Sequence, residues 1–125
     1  MKTVSLNLSE RYFATSILNT FKGSLEDQAL LDQDFLNLNI SKEEWEKGEQ
    51  KIIKETKEIE NEDGTKETKE VVTEIRWDNE KGGLKDVELS DKASEYIHKS
   101  LSEKTDFDRT DPALMHLMSL KNKLT

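Results

Sequence analysis

The side chains best suited to catalysis or metal binding in this chain are two histidines and 27 acidic residues. His98 and His116 fall on different predicted helices, and a metal site would need both to converge with carboxylates on one ion. Paired carboxylates such as Asp106 and Asp108 are frequent, but this composition produces close pairs without any functional constraint. A catalytic pair also needs a cleft that shifts the pKa values of its members. We therefore expect no metal, no cofactor and no enzymatic activity.

Two further features of the sequence bear on chemistry. Gly82-Gly83 lacks the additional glycines, the lysine and the hydroxyl residue of a phosphate-binding loop, so it is interpreted as a flexible turn. The chain has no cysteine, which excludes thiolate nucleophiles, disulfide bonds, iron–sulfur clusters and cysteine-ligated zinc. The fold is therefore expected to depend on packing alone.

Charge and hydropathy limit the partners of the chain. With 19 basic and 27 acidic residues the formal net charge is −8, which disfavours binding to a phosphate backbone, so direct nucleic-acid binding is not expected. No stretch approaches the roughly 20 apolar residues of a membrane span, and the first residues lack the apolar centre of a signal peptide. We expect a cytoplasmic protein without membrane contact, in which residues 1–125 form a single domain.

Helical periodicity predicts the elements that flank the centre of the chain. Phe13, Ile17 and Phe21 recur at four-residue intervals, with Ser9 as the predicted N-cap of the first helix. Ser24 is the predicted N-cap of the second helix. These two helices should form a helical hairpin.

A capping box gives the clearest local signal. Residues 41–44, Ser-Lys-Glu-Glu, match that motif, and Ile40 and Trp45 occupy the positions of a hydrophobic staple, so a short third helix is predicted. Two C-terminal helices are predicted, one after Ser90 and one after Asp111-Pro112.

Residues 51–77 carry β-branched side chains that alternate with charged ones, which predicts a long β-hairpin arm. Asp63 and Gly64 are predicted to be its two loop residues, in a register that pairs Ile52 with Ile75 and Glu60 with Glu67. The distal part has little to bury and should stand in water. The base should join the core through the apolar residues Ile52, Ile53, Val72, Ile75 and Trp77.

A third strand is predicted at Leu84, Val87 and Leu89, antiparallel to the segment that ends at Trp77. The predicted fold class is therefore α+β: a small antiparallel three-stranded meander with one long polar hairpin, packed against N-terminal and C-terminal helices. Trp45 and Trp77 lie near element boundaries. Core packing is the favoured interpretation for both, and anchoring of a partner is the alternative.

Several short runs together resemble small uncharacterised proteins of tailed phages and prophages. These are Leu8-Ser9-Glu10-Arg11, Ile40-Ser41-Lys42-Glu43-Glu44-Trp45, Ile75-Arg76-Trp77 and Val87-Glu88-Leu89-Ser90, followed by a closing pair of helices. The resemblance implies a small accessory protein of a bacterial host cell that acts by contact with another macromolecule. It brings no catalytic residue with it, and it does not extend to residues 54–69.

The expected function is thus non-enzymatic protein–protein interaction, or self-association, through the arm and the broad apolar face of the last helix. The alternative is an acidic inhibitor that mimics DNA and occupies a basic site on a host protein, although basic residues are interspersed almost throughout. The candidate partner-binding residues are Ile59, Asp63, Gly64, Trp77, Met115 and Met118.

Overall fold

The computed structural model describes residues 2–124, and among these it contains six helices and four strands. The α+β class predicted from the sequence is confirmed. In chain order the elements are β1 Lys2–Leu6, α1 Leu8–Leu18, α2 Leu25–Leu38, α3 Lys42–Lys47, β2 Lys51–Glu60, β3 Lys66–Arg76, α4 Asn79–Gly82, β4 Lys85–Leu89, α5 Asp91–Glu103 and α6 Leu114–Lys123.

The strands form two separate two-stranded antiparallel sheets, so the predicted three-stranded meander is wrong. Strand β4 pairs with β1, where Val4 lies opposite Val87, and β2 pairs only with β3. Both β1 and β4 alternate between buried and exposed residues, so each has one apolar face to cover. Pairing them puts both apolar faces on the same core.

The hydrophobic core lies between the β1–β4 sheet and four helices. Its buried residues come from β1, β4, α1, α2, α5 and α6 together with the residue that ends α6, and within residues 2–124 none comes from β2 or β3. They are Val4, Leu6, Ala14, Leu18, Leu31, Leu38, Val87, Leu89, Ala93, Ile97, Leu101, Leu120 and Leu124.

The helix starts are largely those expected from side-chain capping. Ser24, Ser41 and Ser90 each accept a hydrogen bond from the backbone N–H three residues later, as predicted. Helix α1 instead begins after Asn7, whose Oδ1 accepts from the N–H of Glu10 at 2.8 Å, so the assignment of Ser9 as the cap is wrong. Helix α6 begins at Leu114, two residues later than Asp111-Pro112 suggested.

The hairpin register matches the prediction only at its base. Ile52 pairs with Ile75, but a β-bulge at Thr73 shifts the ladder by one residue, so that Glu60 lies opposite Lys66 rather than Glu67. The shift replaces the repulsive pair of Glu60 and Glu67 by an attractive one, but it also sets Lys57 opposite Lys69. The loop has three residues, 62–64, so the predicted two-residue loop of Asp63 and Gly64 is wrong; it is closed by the N–H of Asn61, which donates to the Thr65 carbonyl oxygen at 2.8 Å. Gly64 has φ +85°, which glycine adopts without strain.

The base of the hairpin does not join the core, contrary to expectation. Ile52, Val72 and Ile75 are 54%, 50% and 46% exposed. The reason is the strand pairing, because β4 joins β1 and leaves no sheet through which the hairpin could continue into the core. Within residues 2–124 no helix has the length and apolarity needed to cross a membrane.

Candidate protein-binding surface

Three aromatic side chains from different elements meet where the hairpin leaves the helices. The Trp45 and Trp77 rings lie 5.0 Å apart, centroid to centroid, in an edge-to-face arrangement, and the Tyr12 ring lies 5.6 Å from Trp77. Both tryptophans are half-buried and Tyr12 is exposed, and none of the three belongs to the hydrophobic core. Edge-to-face pairs of this kind stabilise a cluster beyond the area they bury.

A hydrogen-bond network fixes the orientation of Trp77. Its Nε1 donates to Ser9 Oγ at 2.8 Å and lies 3.2 Å from Asn79 Oδ1, which also accepts from the Ser9 N–H at 3.0 Å. Asn79 Nδ2 in turn donates to Ser9 Oγ at 2.9 Å. The indole is therefore tied to the start of α1, and the end of β3 has a defined position relative to the helices.

A buried arginine holds the helix that carries Trp45. Arg11 is almost fully buried; its Nε donates to the Leu38 carbonyl oxygen at 3.3 Å, and its Nη2 donates to the Asn39 carbonyl oxygen. Its guanidinium also forms an ion pair with Glu44, one residue before Trp45. The hydrogen bond from Arg11 lowers the pKa of the Glu44 carboxyl to about 2, although partial burial of this carboxyl acts to raise its pKa.

Two glycines allow the loops beneath this cluster to approach each other closely. A Cβ at Gly82 would lie 2.5 Å from Cδ1 of Leu8, and a Cβ at Gly48 would clash with the same methyl group. The backbone at Gly48 is also joined to the end of β3, since its carbonyl oxygen accepts from the Asp78 N–H at 2.7 Å. Gly82 is therefore a packing requirement rather than only the flexible turn that the sequence suggested.

The aromatic cluster separates two adjoining grooves that share Tyr12 and Trp45, and we call the pair the aromatic groove. One part, of about 530 Å³, lies between α1, the end of α2 and α3. The other part, of about 390 Å³, lies against the base of the hairpin. The first is lined by Tyr12, Thr15, Ser16, Asn19, Phe35, Leu38, Asn39, Ile40 and Trp45. The second is lined by Tyr12, Trp45, Gln50, Val72, Thr73, Glu74, Ile75 and Trp77.

Of the residues proposed from the sequence, Trp77 alone lies in the aromatic groove. Ile59, Asp63 and Gly64 lie at the far end of the hairpin, where Ile59 pairs with Glu67. Asp63 Oδ1 accepts from the Thr65 hydroxyl at 2.6 Å, which lowers the pKa of Asp63 and stabilises the turn. The structure therefore gives Asp63 and Gly64 a role in closing the loop.

The two methionines proposed from the sequence lie on α6. Met115 and Met118 are exposed, and Met118 lines a separate groove of about 310 Å³ with Phe107 and Leu117. They form a second apolar region, apart from the aromatic groove.

Sequence reasoning did not predict that Tyr12, Val72 and Ile75 would form part of an open surface. The periodicity of α1 indicates that Phe13 and Ile17 lie on the inner face of the helix, and the same pattern predicts that Tyr12 lies on its outer face. The exposure of the hairpin base could not be inferred in this way, because it depends on β1 pairing with β4.

Neither histidine forms part of a metal-binding arrangement in the described chain. His98 is half-buried on α5, and His116 Nε2 lies 3.4 Å from Asn79 Nδ2. Residues 2–124 contain no group of three histidine or carboxylate side chains placed to hold one ion.

Comparison of the chain with protein-family models, with curated proteins and with solved structures gave no match.

Proposed function

We propose that this protein is a non-enzymatic module that binds another protein by accepting an apolar side chain of that partner in the aromatic groove. The observation that carries the proposal is the half-open cluster of Tyr12, Trp45 and Trp77, continued by exposed Val72 and Ile75. Tryptophan and tyrosine dominate the binding energy of protein interfaces. Because hydrogen bonds hold Trp77 and an ion pair holds the helix of Trp45, little ordering would oppose binding.

The acidic excess of the segment that contains much of the groove favours a partner with basic residues beside its apolar anchor. Residues 41–81, which extend to the tip of the hairpin, carry 9 basic and 14 acidic residues, whereas the charged residue that lines the groove, Glu74, is paired with Arg76 at 2.7 Å. The acidic excess would therefore attract a basic segment over distance and raise its association rate, while the groove itself holds the apolar anchor.

The accessory, phage-type role remains part of the proposal and is supported by the sequence resemblance described above. DNA mimicry has less support, because the described hairpin presents mixed charge. Lys66 lies opposite Glu60 and its Nζ is 3.9 Å from a carboxylate oxygen of Glu58. Phosphate imitation would need an uninterrupted acidic face.

The proposal can be tested with two neighbouring valines on opposite faces of the hairpin. Val72 lines the groove, whereas Val71 is the adjacent strand residue and points to the other face. Wild-type protein, Val72→Lys and Val71→Lys would each be used to capture proteins from a bacterial lysate, with quantitative mass spectrometry. A captured protein would then be purified and titrated by fluorescence, since Trp45 and Trp77 are the only tryptophans and both line the groove.

We expect Val72→Lys to reduce recovery of the partner at least about tenfold, because it places a charge where an apolar group would be buried. Val71→Lys should leave recovery unchanged. Equal recovery by both variants would contradict the proposal. If both variants recovered the partner equally and the partner was also released near about 1 M salt, where charges are strongly screened, the acidic-mimic alternative would be favoured.

A further inference from the structure

The β2–β3 hairpin has two open edges, and they differ. Each strand has only the other as a neighbour in its sheet. The bulge at Thr73 lies near the base of β3, and beyond it both strands are regular, β2 from Lys54 to Glu60 and β3 from Lys66 to Val72. Both strands carry the run Lys-Glu-Thr-Lys-Glu, at residues 54–58 and 66–70. The β2 edge differs in having an isoleucine on each side of that run, Ile53 and Ile59, where β3 has Thr65 and Val71.

The sequence of β2 is complementary to itself in the antiparallel direction. Residues 53–59 read Ile-Lys-Glu-Thr-Lys-Glu-Ile. If Thr56 lies opposite Thr56 of a second copy, the facing pairs are Ile53 with Ile59, Lys54 with Glu58, and Glu55 with Lys57. Every charge then faces an opposite charge, and every isoleucine faces an isoleucine. Such cross-strand pairs stabilise a sheet, whereas like charges in these positions destabilise it.

Neighbouring symmetric registers lack this match. A shift of the two-fold centre by one residue puts Glu55 opposite Glu55, or Lys57 opposite Lys57, at the middle of the contact. A two-residue shift centres the contact on Lys54 or on Glu58, again with like charges facing. Among symmetric contacts of β2 with itself, a single register is therefore favoured, and such a contact repeats each of its attractive pairs.

The backbone of β2 is oriented for this pairing. In an antiparallel ladder, alternate residues direct their N–H and C=O groups to the same side. The Asn61 N–H donates to the Thr65 carbonyl oxygen, and the Ile53 carbonyl oxygen accepts from the side-chain hydroxyl of Thr73, so both backbone groups point towards β3. The even-numbered residues between them, Lys54, Thr56 and Glu58, then present their backbone groups to the open edge.

We propose that two copies of this chain associate through the β2 edges, centred on Thr56, to form a continuous four-stranded sheet. The contact is isologous, so each copy supplies the same seven residues. It gives the exposed Ile59 an apolar partner and leaves the bulged β3 strands outermost. A two-stranded ribbon is marginal in water, and adding strands is the general way to stabilise it. The proposal uses a different surface from the aromatic groove and is independent of it.

Charge reversal at positions 55 and 57 tests the register without loss of the hairpin. In the hairpin Glu55 lies opposite Val71, and Lys57 lies opposite Lys69. Lys57→Glu therefore replaces a repulsive pair within the hairpin by an attractive one, while it creates two repulsive pairs between copies. Glu55→Lys also creates two repulsive pairs between copies and no new like-charge pair across the hairpin. The double variant Glu55→Lys/Lys57→Glu restores every pair between copies.

The measurement is sedimentation equilibrium of the full chain at low salt, from micromolar to millimolar concentration, with circular dichroism to check folding. We expect the wild type to form dimers and each single variant to have a dissociation constant at least about tenfold higher. An equimolar mixture of the two single variants should form a 1:1 heterodimer, because lysines at 55 and 57 of one chain would face glutamates of the other. The double variant should dimerise as the wild type does.

Two results would overturn the proposal. One is a wild-type chain that remains monomeric over the whole concentration range. The other is a set of single variants that dimerise as tightly as the wild type, which would place the contact elsewhere. Because Lys57→Glu improves the pairing within the hairpin, weaker dimerisation of that variant cannot be attributed to unfolding.

Discussion

The hairpin and the rest of the molecule use similar apolar residues to opposite effect. In the body, formed by β1, β4, α1, α2, α5 and α6, the strand residues Leu6 and Leu89 are fully buried. In the hairpin, Ile52 and Ile75 face each other in a regular ladder and still stand half in water. The difference is one of strand partners, since a strand that joins no covered sheet exposes its side chains whatever their type.

The two regions differ in their polar contacts as well. Glu10, buried in the body, accepts from the Asn7 N–H at 3.2 Å, from Ser119 Oγ at 3.1 Å and from Lys123 Nζ at 2.8 Å. In the hairpin the ion pair between Lys54 and Glu70 spans 4.0 Å between exposed side chains. Exposed pairs contribute about 0–1 kcal/mol, whereas removing one partner from a buried set is costly. Polar contacts therefore help to specify the body.

The largest expected effect comes from removing the same side chain in the two regions. Ile97→Ala in the body should lower the free energy of unfolding by about 2–5 kcal/mol, because it leaves a cavity in a covered core. Ile75→Ala in the hairpin should cost well under half as much, because that side chain is exposed. Urea unfolding followed by circular dichroism measures both. If the two variants lost the same free energy of unfolding, the hairpin base would be as buried as the core, and the contrast drawn between the two regions would be wrong.

A smaller effect is expected from the charge that joins α1 to α3. The pKa of Glu44 is lowered to about 2 by its hydrogen bond with Arg11, so its stabilising effect is present above the unfolded pKa near 4.5 and is lost as the pH falls towards 2. A shift of this size corresponds to at most about 3 kcal/mol. Glu44→Gln keeps the cap acceptor and should lose stability at pH 7, with a weaker pH dependence between about pH 5 and pH 2. Parallel pH profiles for wild type and variant would contradict the assignment.

Loss of the cap of α3 should have a milder effect. Ser41 Oγ accepts from the Glu44 N–H at 3.1 Å, and Ser41→Ala should cost about 0.5–2 kcal/mol. Thermal unfolding of Ser41→Ala beside Ser16→Ala provides the comparison, since the Ser16 hydroxyl donates to the Tyr12 carbonyl oxygen within a helix and caps nothing. If the two variants melted together, the capping box would contribute little to holding Trp45.

Local signals in the sequence were sufficient for the starts of α2, α3 and α5, and insufficient for the starts of α1 and α6 and for the strand partners. Ser41 and Glu44 satisfy each other within four residues, so their pattern carries its own geometry. Pairing of β1 with β4 joins residues that are 79 to 87 positions apart. The alternation of Val4 and Leu6 indicates a strand with one apolar face, but not which strand pairs with it.

The candidate site could be predicted only in part for the same reason, because its residues come from distant parts of the sequence. Trp77 was identified as a possible anchor because tryptophan at an element boundary is typical of interfaces. Its aromatic neighbours Tyr12 and Trp45 come from α1 and α3, and its hydrogen bond with Ser9 spans 68 residues. Only tertiary structure brings those groups together. Asp63 and Gly64 have the opposite origin, since a local turn signal predicts their place in the loop, although not the length of that loop.

The smallest effect on stability is expected from shortening the hairpin. Replacing residues 56–70 by Asn-Gly joins Glu55 and Val71, which already face each other, through the kind of two-residue turn that hairpins favour. The deleted residues make only exposed contacts, so the free energy of unfolding should change by less than about 1 kcal/mol. Val72, Ile75 and Trp77 remain, and binding at the aromatic groove should persist. Thr56 and Lys57 are lost, and dimerisation should be abolished. Loss of folding would show that the distal hairpin supports the body; loss of groove binding with folding intact would place the partner on the hairpin itself.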